Sequence, residues 1–484
     1  MRGLRVMNGP AAPIGCPLSN ERGEAVSHGL DAARHKMVKA GVSAPAIEVF
    51  SHYYRLLETG ETGLIREDSI EPLLDPPRLD DVVVSDEAAR EAIGATVVLR
   101  LNGGLGTSMG LDKAKNLLEV RNGLNFLDLI VRQVRAARRD WDARLPLLFM
   151  NSFRTEEDTL RYLARYEDLP VEDLPLSFMQ NQEPKLRADD LMPVEWPADP
   201  SLEWCPVGHG DIYTALYGSG LLEKLVDKGF RYACVANGDN LGAAPNARLA
   251  GWFAASGAPY AAELCRRTVN DRKGGHLAIR KADGQLILRD TAQTASEDMH
   301  YFTDEHRHPF FHTNNLWFDL RQLLKILVER DAVLGLPMIR NEKTVDPADS
   351  SSPRVIQVES AMGAAIEVFP GATAICVGRE RFLPVKTTNE LLLLRSDVYD
   401  LTQDGHLIAR SKAPEIKLDS SYYKTVQQFE RRIPQAPSLH EATALRVAGD
   451  WSFGAGVQVV GEVGLEDTGQ AQQVEAGTVL GGGS

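Results

Sequence analysis

The sequence is poor in cysteine, has no long apolar run and carries no excess of positive charge, and each shortage removes a class of protein. Five cysteines (Cys16, Cys205, Cys234, Cys265 and Cys376) are scattered over 484 residues without a C-x-x-C spacing. That pattern supports neither a disulfide framework nor a zinc site, and it fits a reducing, cytoplasmic setting. No uninterrupted apolar stretch is long enough to span a bilayer. The first residues hold two arginines with no apolar run behind them, so a secretory leader is not expected and the start reads as a flexible tail. A net charge of −14 argues against nucleic-acid binding, which needs a basic footprint. What remains has the composition of an ordinary globular enzyme, long enough for two or three domains.

Helical periodicity from Leu30 to Leu74 breaks at Gly60 and Gly63, and a Pro/Asp-rich connector runs from Leu73 to Asp81. From Thr96 the pattern alternates. Strands are expected at Thr96–Leu101, Leu145–Asn151, Leu176–Gln180, Tyr232–Asn237, Pro259–Cys265, Arg354–Val358 and Thr373–Val377. Helices are expected at Phe126–Arg138, Glu156–Tyr166, Ile212–Asp227, Ala247–Ser256 and Leu320–Arg330, and a hairpin pairs Leu277–Arg280 with Gln285–Leu288. This is an α/β pattern with a largely parallel sheet, in which ligands bind beyond the carboxyl ends of the strands. After Pro437 the pattern changes: short β runs from Ala444 to Leu465, separated by single glycines, predict a small β-solenoid, with Gly481–Ser484 as a tail.

The segment Leu101-Asn-Gly-Gly-Leu-Gly-Thr-Ser-Met-Gly110 follows the first of these strands, and Lys115 lies just beyond it. Glycines there let backbone N–H groups close on phosphate oxygens, and Lys115 brings a mobile positive charge to them. The spacing is not that of a Walker loop. It also fails the dinucleotide fingerprint, whose third glycine would fall at Met109.

Polar clusters follow the later strands. Gln180 presents an amide suited to the imide edge of a base, although an ordinary loop amide would look the same. Gly208-His-Gly-Asp211 offers close backbone approach, with the His209 imidazole read as a donor to a phosphate or sugar hydroxyl and Asp211 as a helix cap. Asn237-Gly-Asp-Asn240 sets a carboxylate, Asp239, where Mg²⁺ could be held against a triphosphate; a structural turn is the alternative. Arg272-Lys-Gly-Gly, Phe311-His-Thr-Asn-Asn-Leu-Trp317 and Arg379–Thr388, with Lys386 behind Pro384, would each pass singly for a solvated loop.

Taken in order, these blocks resemble the eukaryotic-type UTP–glucose-1-phosphate uridylyltransferases (UDP-glucose pyrophosphorylases), the protozoan branch most of all. Glu119-Val-Arg-Asn-Gly, Met150-Asn-Ser-Phe, Glu359-Ser-Ala-Met-Gly and Phe382-Leu-Pro-Val-Lys-Thr extend the match, which runs from about Ala32 to Gly464. The chain departs from the family at Ala114-Lys-Asn116, where Pro-Lys-Ser is frequent, and at Gln182, where an Arg is frequent.

The resemblance implies a nucleotidyltransferase core with a Rossmann-like mixed sheet (81–400), a helical amino-terminal region (1–80) and a carboxyl-terminal left-handed β-helix with tail (401–484). It implies the reaction of UTP with α-D-glucose 1-phosphate to give UDP-glucose and diphosphate, with Mg²⁺. The alternative is a broader UDP-sugar or UDP-N-acetylglucosamine pyrophosphorylase. By the same resemblance Leu101, Asn102, Gly103, Gly104 and Lys115 would meet the UTP phosphates, and Gln180 and Gly208 would read uracil. His209, Asn237, Lys273, Asn314 or Asn315, and Glu359 would hold the sugar phosphate. Asp239 would bind the metal and Lys386 would be a second catalytic lysine. No nucleic acid or membrane partner is implied, and the chain would act as a monomer or as a homo-oligomer formed through its carboxyl-terminal domain.

Overall fold

The computed structural model describes residues 21–268 and 271–482; the expected amino-terminal tail, Cys16 and the last two residues of the expected carboxyl-terminal tail lie outside them. Two helices come first, α1 (Glu21–Lys39) and α2 (Ala44–Thr59). The bounds of α2 follow from its sequence. Ser43 accepts the Ala46 N–H, Pro45 sits in the first turn, and Gly60 ends the helix in the left-handed conformation at φ 73°. Its apolar face, with Phe50, Tyr54 and Leu57, packs with Met338, Ile356 and Val358.

Seven strands build the central sheet: β1 (Thr96–Asn102), β2 (Leu147–Asn151), β3 (Ser177–Met179), β4 (Tyr232–Asn237), β5 (Tyr260–Arg266), β6 (Phe310–Asp319) and β7 (Thr373–Cys376), in spatial order β7-β5-β6-β4-β1-β2-β3. All neighbours are parallel except β6, which runs antiparallel to both β4 and β5. Alternation along β1 divides the core: Val98 joins one apolar cluster, and Val97 and Leu99 join the other on the opposite face. Helix α3 (Phe126–Trp141) covers the Val98 side with Phe126, Ile130 and Val134, its start fixed by a reciprocal Asn125–Asp128 capping box.

The sheet departs from the sequence expectation at β6. Phe311–Trp317 read as a polar loop, yet it is the middle of a ten-residue strand buried on both faces. Such a strand has no polar/apolar alternation to betray it, and His312, Thr313, Asn314 and Asn315 break its apolar run. The strand expected at Arg354–Val358 runs on to Ser360 outside the central sheet, between Met338–Thr344 and Leu186–Arg187. Gly220, at φ 71°, divides the expected helix Ile212–Asp227 into two, and the hairpin at His276–Arg280 gains Ile70–Pro72 as a third strand.

Beyond residue 400 lie β8 (Glu415–Leu418), β9 (Ser438–Val447), β10 (Gln458–Leu465) and β11 (Val479–Gly481), successively paired in parallel. A second parallel face joins Trp451–Phe453 to Gln472–Val474. This parallel pairing runs from Glu415 to Gly481, well beyond the Ala444–Leu465 bounds expected for the β-solenoid. Gly481, expected in the tail, pairs with Val460.

One buried ion pair joins the sheet to its carboxyl-edge loops. Arg381 donates twice to Glu263 of β5, at 2.7 and 3.0 Å, and Trp317 and Asn315 of β6 donate to the same carboxylate at 2.9 and 3.2 Å. Burial pushes the Glu263 carboxyl up, but the Arg381 charge and these bonds outweigh it and hold the group below its ordinary value. Removing one partner of such a pair leaves an uncompensated buried charge. Arg381→Met is therefore expected to cost about 3–5 kcal/mol of stability at pH 7, read from urea unfolding.

Candidate active site

Chain order reverses at β1: β2 and β3 follow on one side of it and β4 lies on the other. In an open α/β sheet the crevice at this point receives the ligand. The two strand ends lie level, with Leu101 in register with Asn237.

The glycine loop leaves β1 from a pinned base. Asn102 is buried, and its amide donates to Asn151 at 2.6 Å and to Thr159 at 2.7 Å. Its amide nitrogen is thus committed to the scaffold, whereas its Oδ1 is buried without a hydrogen-bond partner among the described residues. Ser152 fixes the Gly103 carbonyl at 2.8 Å. The loop then turns through Gly106 (φ 67°) and Gly110 (φ 73°) and comes back so that the Lys115 N–H donates to the Gly104 carbonyl at 3.0 Å. The Lys115 ammonium reaches Asp239 Oδ2 at 2.5 Å and also bonds the Val385 carbonyl. One side chain thereby links the loop after β1, the loop after β4 and the segment carrying Lys386. Lys386 itself is exposed, and among the described residues no hydrogen bond or ion pair engages its side chain.

The loop after β4 is held from below. Gly238 donates to the Leu101 carbonyl at 2.9 Å, and a Cβ at Gly238 would lie 2.7 Å from that same backbone oxygen, so a side chain there is strained. Asn240 donates to Asn315 at 3.0 Å and accepts from the Leu383 N–H at 2.8 Å, tying the Asp239 loop to the approach of Lys386. Asp239 is 14% exposed and already carries a cationic partner. Among the described residues no group of three or more His, Cys, Asp or Glu side chains could cage a metal. A single carboxylate of this kind fits Mg²⁺ that arrives on polyphosphate, since that ion takes one or two carboxylates and completes its shell with phosphate and water.

On the β3 side, Gln180 is buried and donates from Nε2 to the Gly208 carbonyl at 2.6 Å, and a Cβ at Gly103 would lie 2.8 Å from its Oε1. Gln180 thus bridges the glycine loop and the Gly208 turn. His209 accepts the Met362 N–H on Nδ1 at 2.9 Å. Burial lowers its pKa, so the ring is neutral near pH 7 and Nε2 carries the donor hydrogen. Asp211 corrects the sequence reading: it stands before the helix Ile212–Gly218, but its side chain makes no capping bond. Its carboxylate accepts instead from Asn181.

The structure also separates Asn314 from Asn315. Asn315 is 1% exposed, its amide spent on Glu263, Arg381 and Asn240, so it supports the site without facing it. Asn314 is half-buried and left-handed at φ 59°, beside an irregularity in the β5–β6 pairing, and its N–H is held by His312. Glu359 is half-buried beside Gly208; its Cβ lies 3.1 Å from where one would stand on that glycine. Lys273 is exposed, and its loop is joined to the Lys386 segment by the double Arg379–Asp271 bond at 2.8 and 2.9 Å. The sequence reading missed the Glu263–Arg381 pair and the Asp211–Asn181 contact. The signal for the first was a lone carboxylate inside the apolar run Tyr260–Cys265.

A reversed α/β sheet whose crevice gathers a glycine loop, a lysine and a carboxylate is the frame of a nucleotide-phosphate-handling protein. Comparison with known proteins narrows the class. Residues 47–460 match the family model of UTP–glucose-1-phosphate uridylyltransferase. The curated enzyme of that name from Solanum tuberosum is 40% identical over 77% of this chain and 77% of its own length, and that of Saccharomyces cerevisiae is 38% identical over 80% and 78%. Among solved structures, the UDP-glucose pyrophosphorylase of Leishmania major superposes with a TM-score of 0.87 at 42% identity, covering 94% of this chain and 98% of the other. A UDP-glucose phosphorylase of Trypanosoma brucei gives 0.86 at 42% identity over 94% and 98%. The chain belongs to the UTP–glucose-1-phosphate uridylyltransferase family.

Gly208 has φ 87° and ψ 174°, a region open essentially to glycine alone, and a Cβ there would press on the Ser360 backbone at 3.0 and 3.2 Å. Gly208→Ala is expected to cost about 1–3 kcal/mol in thermal unfolding and to raise the KM for nucleotide.

Proposed function

We propose that this chain catalyses the reversible reaction of UTP with α-D-glucose 1-phosphate to give UDP-glucose and diphosphate. The observation that carries the reading is Lys115, whose ammonium spans the glycine loop, Asp239 and Val385 in a chain of this family. A phosphate oxygen of the sugar phosphate attacks the α-phosphorus of UTP, and the bond from that phosphorus to the β-phosphate bridging oxygen breaks in line. The nucleophile is already ionised, so neither a general base nor a protein nucleophile is required. Both reactants are anions, and catalysis rests on positioning and on neutralising charge as it moves to the leaving diphosphate.

In this reading the backbone of Leu101–Gly104 and Lys115 bind the UTP phosphates, and Gln180 and Gly208 read the uracil edge. His209, through its Nε2 hydrogen, joins Asn237, Lys273, Asn314 and Glu359 around the glucose 1-phosphate. Lys386, free of protein partners among the described residues, meets the reacting phosphates as the second catalytic lysine. Asp239 would hold Mg²⁺, which when bound supplies further positive charge on the polyphosphate. The chain is further read as three units (1–80, 81–400 and 401–484), the last a left-handed β-helix through which copies could associate, in a cytoplasmic enzyme. Among the described residues no helix is long and apolar enough to cross a membrane.

Diphosphate release from UTP with a panel of sugar phosphates tests the activity. Glucose 1-phosphate should give the highest kcat/KM, whereas comparable rates with galactose 1-phosphate or N-acetylglucosamine 1-phosphate would favour the broader enzyme. Lys115→Ala and Lys386→Ala should each lower kcat by at least about a hundredfold with the fold intact. Their effects should combine less than additively if both act on one phosphoryl group. Asp239→Asn should raise the Mg²⁺ concentration needed for half-maximal rate and recover in part at high metal concentration, measured by titrating the metal at fixed UTP.

A further inference from the structure

Asp211 is 3% exposed and, among the described residues, has no cationic partner. Burial pushes its pKa to about 7. A carboxylate placed this way costs the fold free energy, and it does not repay that cost by capping the helix that follows it. What it does is hold Asn181. The Asn181 N–H donates to Oδ2 at 2.6 Å and its Nδ2 to both carboxylate oxygens at 3.0 and 3.1 Å, while Ser43 donates to Asn181 Oδ1 at 3.3 Å. Asn181 directly follows Gln180, and the Asp211 N–H reaches the Gly208 carbonyl at 3.3 Å, the same oxygen that accepts from Gln180. Gln180, Asn181, Asp211 and Gly208 therefore close a ring. The turn in that ring packs closely on its neighbour, for a Cβ on Gly210 would lie 2.9 Å from the Ser360 backbone carbon.

The ring decides which way the Gln180 amide points. A carbonyl only accepts, so with the Gly208 oxygen fixed in place Nε2 must face it and Oε1 must face the glycine loop. A pyrimidine at that loop meets an acceptor. Uracil offers N3–H to it, whereas cytosine offers the bare N3 lone pair and is repelled.

We propose that Asp211 is a positioning residue for base selection: by fastening Asn181 to the Gly208 turn it locks the Gln180 amide in the orientation that accepts uracil and rejects cytosine. This rests on the reading that Gln180 reads the base.

The test compares kcat/KM for UTP and CTP, with glucose 1-phosphate, in the full-length chain and in Asp211→Ala, Asp211→Asn and Gln180→Ala, with folding checked by circular dichroism. Asp211→Ala should reduce the preference for UTP by about tenfold or more, carried by the KM for UTP, with kcat changed by less than about threefold. Asp211→Asn should keep most of the preference, because its carbonyl can still accept the Asn181 N–H. A folded Asp211→Ala protein with the parent preference, or with kcat lowered equally for both nucleotides, overturns the proposal. If Gln180→Ala also keeps the parent preference, the base-reading role of Gln180 falls and the proposal falls with it. If Gln180→Ala loses the preference while Asp211→Ala keeps it, only the role of Asp211 fails. Should Asp211→Ala not fold, Asn181→Ala decides, since it removes the side-chain half of the clamp and leaves the buried carboxylate: a fall of about threefold or more in preference supports the proposal, and no change overturns it.

Discussion

Glu263 is an ionised carboxylate inside a seven-stranded sheet, and the architecture of the candidate site is organised around keeping it paired. An unpaired charge there would cost several kcal/mol, so Arg381 is drawn from a loop edge into the core to meet it. That placement has consequences for the backbone around it. The Arg381 carbonyl accepts from both Asn240 and Asn315, and the next residues run back along Asn240 to Val385. Strands β5 and β6, the Asp239 loop and the approach to Lys386 are thus fixed by one buried electrostatic requirement. In a chemistry of positioning and charge neutralisation, that rigidity is what sets the distance between the groups that act.

The second constraint is charge in the crevice itself. The chain carries a net −14, yet its proposed reactants are polyanions. The conflict is settled locally. Lys115 neutralises Asp239, Lys386 stands free of protein partners among the described residues, and the glycine loop offers backbone N–H groups without side-chain obstruction. His209 is kept neutral by burial, with Nδ1 occupied, so it serves as an oriented donor and not as a titrating charge. Gly208 and Gly210 add the last condition, close contact with Ser360, which leaves the turn that faces Gln180 no freedom to shift.

The sequence by itself determined the short-range parts. The glycine turn after the first strand, the placing of Lys115 and Asp239 just beyond strand ends, and the alternation of strands and helices were legible because backbone conformation and local periodicity depend on neighbours in the chain. Even the stop of α2 at Gly60 was readable, for a left-handed residue ends a helix wherever the helix lies. The long-range parts were decided only by the tertiary structure. Phe310–Asp319 became a central antiparallel strand because both its faces are covered, and coverage is not written in the strand's own residues. Asn314 and Asn315 are adjacent and chemically identical, yet the first is half-buried with a left-handed backbone within the strand and the second is spent on Glu263 and Arg381. Asp211 reads locally as a helix cap, but Asn181, thirty residues away in sequence, offers it two better donors. Which partner wins is a competition among groups that only folding brings within hydrogen-bond reach.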